Sequence, residues 1–255
     1  MAAALANEGE ELTRQRKAGA RQGVLLANVR AALFDVDGTL CDNHRLHFEA
    51  YGRALAELAA GSVGWEDYAG ACLRRGKTFE DLLAASGVTF DRRLLFAKKI
   101  RCYREVAAGS LRPRAGLQVL WSALRLHGVR LGVVSTGRRS SVEVTLDHCQ
   151  LPGAPDAIVT RENVGERIKP DPRCYLLAAE RLAVAPDACV AFDDAPAGVA
   201  AASAAGMRCA GVATPVFDIA ELGGAQAVIR DFLQVEPHVL EGGPALAVRG
   251  IVRAR

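Results

Sequence analysis

The sequence has no long hydrophobic run. Half of its 255 residues are hydrophobic, but no stretch approaches the roughly 20 apolar residues that a bilayer-crossing helix requires. A secretory leader is missing as well, because Glu8, Glu10 and Glu11 interrupt the first segment, MAAALANEGEELTRQRKAG, which has no apolar core. Strong charge of one sign is also absent: the formal net charge is only +3, which argues against nucleic acid as a partner.

The cysteines show neither of the arrangements that would give them a structural role. There are seven, an odd number, and no two form a CxxC pair, so the sequence predicts no disulfide framework and no zinc site. Two of them lie in apolar runs, where cysteine serves as a small hydrophobe. This pattern is typical of a reducing compartment, and we expect a cytoplasmic protein. The seven are Cys41, Cys72, Cys102, Cys149, Cys174, Cys189 and Cys209.

The hydrophobic pattern divides the chain into a core and an insertion. The apolar segment VRAALFDVD predicts a buried strand, whereas residues 43–111 have helical spacing and almost no strand signal. Beyond Pro113, helices alternate with wholly apolar strands, which predicts a parallel sheet covered on both faces. The predicted fold is therefore α/β, with a doubly wound parallel sheet core and an inserted α-helical cap. The predicted boundaries are a tail at 1–24, the core at 25–41 and 113–235, the cap at 42–112, and a weakly structured tail at 236–255.

Polar side chains stand at the ends of the predicted strands. Residues i and i+2 of a strand share a face, so Asp35 and Asp37 lie side by side and repel each other. In open parallel sheets, ligands bind beyond the carboxyl ends of the strands. The sequence therefore predicts one site at one sheet edge, with a partner of positive charge. Its members are Asp35 and Asp37 after the first strand, Ser135, Thr136 and Gly137 after the second, Asp193 and Asp194 after the fourth, and Lys169 just ahead of a helix.

Phosphoryl transfer is the chemistry that these groups suit. Mg²⁺ prefers a few oxygen ligands together with waters and a substrate phosphate, and Asp35, Asp193 and Asp194 can supply them. Asp35 could then attack phosphorus and form an aspartyl-phosphate. Asp37 could protonate the leaving alkoxide and later deprotonate a water. Gly38 would permit the tight turn behind the two carboxylates.

The phosphate-binding residues also have simpler interpretations. Ser135 and nearby backbone amides can hold phosphate oxygens, and Lys169 can serve as a point charge. Alternatively, Ser135 and Thr136 could cap the helix that follows, Asp37-Gly38 could form a hairpin turn, and Lys169 could be solvated. The convergence of separate segments on one sheet edge favours the catalytic interpretation.

The same motifs resemble those of a known family. DxDGT after an apolar strand, a strand-end serine, Lys-Pro and FDDAPAGVAAASAAGM are similar to the four motifs of the haloacid dehalogenase-like superfamily, over roughly residues 29–215. The inserted helices resemble the cap of the branch that contains β-phosphoglucomutase and phosphoglycolate-type phosphatases. The resemblance implies a Rossmann-like core, a cap that closes over substrate, and Mg²⁺ as the cofactor.

The resemblance also implies a role for each core residue. Relatives often carry Glu where this chain has Asp193, whose shorter side chain should still reach the water shell of the metal. The founding dehalogenase activity is excluded, because those enzymes need neither an acid/base aspartate nor a metal. The implied roles are nucleophile and metal ligand for Asp35, acid/base and backbone metal ligand for Asp37, phosphate binding for Ser135 with Gly38, Thr136 and Gly137, stabilisation of the nucleophile and the phosphate for Lys169, and metal binding for Asp194.

The predicted cap offers further candidates for binding substrate. Arg75 and Lys77 lie in the basic segment 74–77, RRGK. They either contact the non-reacting part of an anionic substrate or form a solvated helix end. His47 stands where several relatives carry a histidine near the cap hinge, and it either assists the acid or is a surface residue. His44 and His47 form no metal pair without further ligands.

The leading hypothesis is a phosphatase for a small phosphorylated metabolite, of the sugar phosphate or phosphoglycolate type. A β-phosphoglucomutase-like sugar phosphomutase is the first alternative, but mutase-like caps place an arginine three residues after the loop glycine, where this chain has Phe79 after Gly76. A catalytically silent binding module is the second alternative, but such modules usually lose the nucleophile or the acid. We expect no nucleic acid or membrane partner, and a monomer or small homo-oligomer.

Overall fold

A seven-stranded sheet lies at the centre of the protein. The structure is a computed structural model and describes residues 24–240, 242–249 and 251–252. The strands are β1 (Val24–Leu26), β2 (Ala31–Phe34), β3 (Arg130–Val134), β4 (Ala157–Val159), β5 (Cys189–Asp193), β6 (Arg208–Val212), β7 (Ala227–Ile229), β8 (Val235–Leu240), β9 (Gly243–Val248) and β10 (Ile251–Val252). The central sheet has the order β10-β7-β6-β5-β2-β3-β4. Six of its strands are parallel, and β10 pairs antiparallel with β7.

Strand β2 lies inside this sheet, and all four of its side chains are apolar and buried. It pairs in parallel with β3 on one side and with β5 on the other. Its side chains alternate between two hydrophobic cores, with Ala32 and Phe34 in one and Ala31 and Leu33 in the other. This two-sided burial confirms the predicted doubly wound α/β fold.

Helices cover both faces of the sheet. They are α1 (His44–Glu57), α2 (Trp65–Tyr68), α3 (Phe79–Ala85), α4 (Arg92–Ser110), α5 (Leu117–Leu126), α6 (Arg139–Cys149), α7 (Arg161–Val164), α8 (Arg173–Leu182) and α9 (Pro196–Ala204), and a π-helical turn at Ala69–Arg74 follows α2. Helices α5 and α6 contribute to the core that contains Phe34, and α8 and α9 contribute to the core that contains Leu33. Within the described ranges, no helix has the length and apolar character that spanning a membrane requires.

Helices α1 to α4 form the insertion between β2 and β3. Aromatic rings join them: Tyr51 of α1 stacks on Phe79 of α3 with ring centroids 3.8 Å apart, and Phe48 of α1 packs edge-on against Trp65 of α2. Helix α3 begins with a reciprocal capping box at Thr78. These contacts hold the insertion together, and its buried residues are continuous with the core that contains Phe34.

A second sheet corrects the prediction of a weakly structured tail from residue 236. Strands β8 and β9 form an antiparallel hairpin, and the sheet order is β1-β9-β8. Leu246 and Val248 of β9 are buried. The prediction was wrong because each strand is short and carries a proline, Pro237 or Pro244, which counts against a strand in sequence. The predicted N-terminal tail lies outside the described residues, except for Val24 at the start of β1.

We expect this terminal sheet to unfold together with the rest of the core. Leu246→Ala should lower the free energy of unfolding by about 2–5 kcal/mol, because Leu246 is 1% exposed and its truncation leaves a cavity. Val239→Ala is the matched control on the same sheet: Val239 is 64% exposed, and the change should stay within about 0.5 kcal/mol. Urea unfolding measures both, and equally small losses would contradict the expectation.

Candidate active site

Three buried carboxylates meet where the adjacent strands β2 and β5 end. Asp35 follows β2, Asp193 is the last residue of β5, and Asp194 follows it; one oxygen from each lies within 4.8 Å of the others. Burial, which is the largest cause, and repulsion within the cluster raise the pKa values of Asp35 and Asp194 above their usual range. The cluster therefore needs positive charge beside it to stay ionised.

Lys169 supplies part of that charge. Its Nζ lies 2.5 Å from Asp35 Oδ1 and 2.8 Å from Asp193 Oδ2, and it also donates to the carbonyl oxygen of Val134. Burial alone would lower the pKa of Lys169, but attraction to Asp193 and Asp35 outweighs burial and raises it. Lys169 is therefore an ammonium at neutral pH, placed against the carboxylates as the sequence predicts.

Asp193 has more hydrogen-bond donors than its two neighbours. Besides Lys169, the Tyr175 hydroxyl donates to Oδ2 at 2.6 Å and the Ala195 backbone N–H donates to Oδ1 at 3.1 Å. Gly198 in α9 leaves room for this carboxylate, since a Cβ there would lie 2.0 Å from it. Both oxygens are thus occupied by protein donors, which suits contact with a metal through water. Sequence reasoning missed Tyr175, because a tyrosine on the apolar face of a helix has the pattern of an ordinary core residue.

Asp37 is held by residues from the start of the cap. Its Oδ1 accepts hydrogen bonds from Asn43 Nδ2 at 2.5 Å and from His47 Nε2 at 2.9 Å. Burial would raise the pKa of Asp37, but His47 and Asn43 together hold it well below its usual range. The structure therefore brings His47 to the candidate acid/base, and it adds Asn43, which the sequence did not single out.

Lys99 of α4 completes this arrangement. Its Nζ lies 2.9 Å from His47 Nδ1 and 3.0 Å from Ser141 Oγ. An ammonium can only donate, so Nδ1 accepts and the ring proton is on Nε2, which donates to Asp37. Burial, and then the charge of Lys99, lower the pKa of His47, so the ring is neutral at pH 7. Burial also lowers the pKa of Lys99 to about 8.

No pattern in the sequence indicates a role for Lys99. It lies 62 residues beyond Asp37 in the segment FAKKIRCY of a long amphipathic helix, where a lysine usually extends into solvent. Only the packing of α4 against the rest of the insertion and against α6 shows that this side chain, 4% exposed, points inward.

Ser135, Thr136 and Gly137 form a turn at the end of β3 and face the carboxylates. The Gly137 N–H donates to Ser135 Oγ at 2.9 Å, and a Cβ on Gly137 would lie 3.6 Å from Asp37 Oδ2. The helix-capping alternative is wrong: the N-cap of α6 is Arg138, and it caps without a side-chain hydrogen bond. Ser135, Thr136 and Gly137 line the same cavity as Asp37.

Gly38 is required by both its conformation and its surroundings. Its φ of +92° lies in the left-handed region, and a Cβ there would lie 2.1 Å from Asp194 Oδ2. The alternative of a hairpin at Asp37-Gly38 is wrong, because β2 pairs in parallel on both sides. The turn instead allows the carboxylates at the two strand ends to approach each other.

A cavity of about 320 Å³ extends from the carboxylates to the cap. Lys77 lines this cavity, whereas Arg75 does not, and the guanidinium of Arg75 lies against Gly70 of the cap instead. Arg74 contacts the core, where it pairs with Glu221 and donates to the Val216 carbonyl oxygen at 2.5 Å. Of the three predicted cap residues, the structure thus brings Lys77 and His47 to the site but not Arg75.

The family described as haloacid dehalogenase-like hydrolase matches residues 29–206. The chain belongs to this family. "Protein CbbY" of Rhodobacter capsulatus is 32% identical over 193 residues, which cover 71% of this chain and 83% of the relative. "Fructose-1-phosphate phosphatase YqaB" of Escherichia coli is 31% identical over 179 residues, covering 69% of this chain and 92% of the relative.

A solved structure agrees with the family membership. CbbY from Rhodobacter sphaeroides, in a mutant form in complex with xylulose-(1,5)bisphosphate, has a TM-score of 0.71 at 26% identity, over 80% of this chain and 95% of that one. These findings confirm the expected superfamily and fold, and the names of the relatives agree with the expected class of phosphatase.

Five basic residues of this hydrolase line the part of the cavity that lies beyond the carboxylates. They are Lys77, Arg92, Lys99, Arg138 and Arg161. Arg92 pairs with Glu80, also in the lining, and Arg138 lies 4.1 Å from the centre of the Phe96 ring. Within the described ranges, the carboxylate that pairs with Arg161 is that of Glu166, which is exposed and 3.9 Å away. Most of these cations are therefore available to an anionic ligand.

The residues of the site fit a divalent cation. Asp35, Asp193 and Asp194 bring three carboxylates together, and Lys169 offsets only one of their charges. No described residue donates to the second oxygen of Asp194. Such oxygens are the ligands that Mg²⁺ prefers.

We expect Lys99→Met to stabilise the protein at neutral pH. Below pH 8, Lys99 is charged in both the folded and the unfolded protein, and burying that charge destabilises the fold. This penalty disappears as the pH rises from about 8 to 10.5, because Lys99 loses its proton at a lower pH in the folded protein than in the unfolded chain. At 1.36 kcal/mol per pKa unit, the penalty is at most about 3 kcal/mol.

Urea unfolding of both proteins between pH 7 and pH 10.5 tests this, and the advantage of Lys99→Met should shrink across that window. Lys98→Met is the matched control, because Lys98 is the neighbouring residue but partly exposed beside Glu57. A Lys99→Met protein less stable than the wild type at pH 7 would contradict the prediction.

Proposed function

We propose that this protein is a Mg²⁺-dependent phosphatase that hydrolyses a small phosphorylated sugar through an aspartyl-phosphate on Asp35. The observation that carries the proposal is the state of Asp35: Lys169 donates to Oδ1, and Oδ2 accepts no hydrogen bond from any described residue. Asp37 and Ser135 line the same cavity. The names of the relatives, among them a fructose-1-phosphate phosphatase and a phosphorylated carbohydrates phosphatase, support this choice of substrate class.

In the first step, Oδ2 of Asp35 attacks phosphorus and the bond to the sugar oxygen breaks. A Mg²⁺ ion held by Asp35, Asp194 and the backbone carbonyl of Asp37 would supply the positive charge that lets a carboxylate approach an anionic phosphate. The Ser135 hydroxyl and the turn that follows it hold the phosphate oxygens. Lys169 keeps Asp35 oriented and offsets its charge.

Asp37 handles the protons of both steps. Its pKa is low in the free protein. A phosphate dianion beside it disfavours the charged carboxylate and raises that pKa. Asp37 therefore takes up a proton when substrate binds and gives this proton to the leaving alkoxide. In the second step the ionised Asp37 takes a proton from water, which attacks the aspartyl-phosphate and releases phosphate. His47 keeps Asp37 in place throughout.

The phosphatase is preferred over the mutase because of the residue three positions after Gly76. A mutase-like cap would use an arginine there to grip a second phosphate. Phe79 is instead 4% exposed and stacks on Tyr51 inside the cap. The silent-module alternative loses support as well, since every predicted core residue lines one cavity or adjoins it.

We further propose that the substrate carries a second anionic group. Lys77, Arg138 and Arg161 come from three separate segments and line the cavity beyond the carboxylates. No described carboxylate lies within ion-pair distance of Lys77 or Arg138. A sugar bisphosphate or a phosphorylated sugar acid would satisfy them. The complex of the CbbY structure with xylulose-(1,5)bisphosphate supports this class of ligand.

Phosphate release from a panel of sugar phosphates, phosphoglycolate and nucleotides tests the proposed reaction. Release should require Mg²⁺ and should fall by at least about 10³-fold in Asp35→Asn, which removes the nucleophile. Acid-quenched protein incubated with substrate should carry one phosphoryl group in the wild type and none in the variant. Hexose 1-phosphates that isomerise without free phosphate would favour the mutase instead.

The second anionic group is tested with fructose 1-phosphate and fructose 1,6-bisphosphate as a matched pair. Arg161→Gln should raise KM for the bisphosphate by roughly 10-fold or more, because a charged hydrogen bond contributes about 1.5–3 kcal/mol, and should leave KM for the monophosphate within about threefold. Arg167→Gln is the control, since Arg167 pairs with Asp171 outside the cavity. Equal effects of Arg161→Gln on both substrates would reject this assignment.

A further inference from the structure

His44 joins the first residue of the cap to the carboxylate cluster of the core. Its side chain is 8% exposed, and its Nε2 lies 2.9 Å from Asp194 Oδ2. Asp194 accepts no other hydrogen bond from a described residue. A candidate metal ligand of the core is therefore held in place by one residue, which belongs to helix α1 of the cap.

The backbone of Gly38 closes this contact on one side. A Cβ placed on Gly38 would lie 2.1 Å from Asp194 Oδ2 and 2.6 Å from His44 Nε2. The imidazole and the glycine backbone therefore crowd Oδ2 on one side. The other oxygen of Asp194, Oδ1, is the one left to bind a cation.

His44 acts separately from His47. The two rings lie three residues apart on α1, yet His44 contacts Asp194 and His47 contacts Asp37. Lys99 fixes the orientation of His47, whereas His44 has no described partner besides Asp194. The hydrogen bond from His44 therefore has one structural effect, which is to fix the Asp194 carboxylate.

We propose that His44 is a positioning residue that orients Asp194 so that Oδ1 faces the metal, and that it thereby links the metal site to the start of the cap. The proposal rests on the proposed function only in assuming that a divalent cation binds. Partners that orient a metal ligand typically change metal affinity by 10- to 100-fold when removed. Loss of the imidazole should therefore weaken cation binding by about that factor.

The test measures cation binding to the full-length protein without substrate. Free Mn²⁺ is followed by electron paramagnetic resonance during titration, and Mg²⁺ is then added as a competitor. His44→Leu should raise the Kd for both ions by about 10- to 100-fold. His44→Gln, whose amide can still donate to Asp194, should stay within about threefold of the wild type. His127→Leu is the control, since His127 does not line the cavity.

The rescue by glutamine separates positioning from packing, because both substitutions fill the volume of the ring but only one donates a hydrogen bond. If His44→Leu fails to fold, His44→Asn takes its place, since its shorter amide does not reach the position of Nε2. An unchanged Kd in the non-donating variant would overturn the proposal, and so would tighter binding, which would mean that His44 competes with the metal. Normal cation binding by a wild-type protein that hydrolyses no phosphate ester would reject the proposed function and leave this inference standing.

Discussion

The hydrogen bonds from the Lys169 ammonium to Asp35 and Asp193 are the interaction on which the rest of the site depends. Three carboxylates buried within 4.8 Å of one another would repel strongly without a cation among them. Strands β2 and β5 bring these carboxylates together because they are neighbours in a parallel sheet. The glycine at position 38 and the one at 198 then follow from the same constraint, since a side chain at either would collide with an aspartate.

The cap is fastened to this cluster by its first helix. His44 and His47 are three residues apart, so they project from the same face of α1, and each holds a different core carboxylate. Two further contacts join the cap to the core: Arg74 pairs with Glu221, and Arg138 lies over the Phe96 ring. The cap therefore lines the cavity and also holds Asp37 and Asp194 through hydrogen bonds from its first helix.

The core of the site could be predicted from sequence because two regular patterns coincide there. Wholly apolar strands identify a parallel sheet, and polar residues directly after them, such as Asp35 and Asp194, must then lie at one edge. Lys99 and Tyr175 could not be predicted, because their roles depend on how one helix face packs against another element, and amphipathic spacing does not show which polar residue turns inward. The β8–β9 hairpin was hidden for a related reason: its burial comes from pairing with β1, more than 200 residues away in sequence.

The position of Lys99 shows how a cation can be buried without being neutralised. Its Nζ lies 5.2 Å from the centre of the Tyr51 ring and 4.7 Å from that of Tyr103, and such cation–π contacts offset part of the desolvation cost. A carboxylate in place of either ring would stabilise the ammonium more, but it would also cancel its charge. Tyr51 also stacks on Phe79 inside the cap, and Tyr103 stacks on His47. These two rings hold the ammonium in place, while its charge acts on His47 and on any anion that enters the cavity.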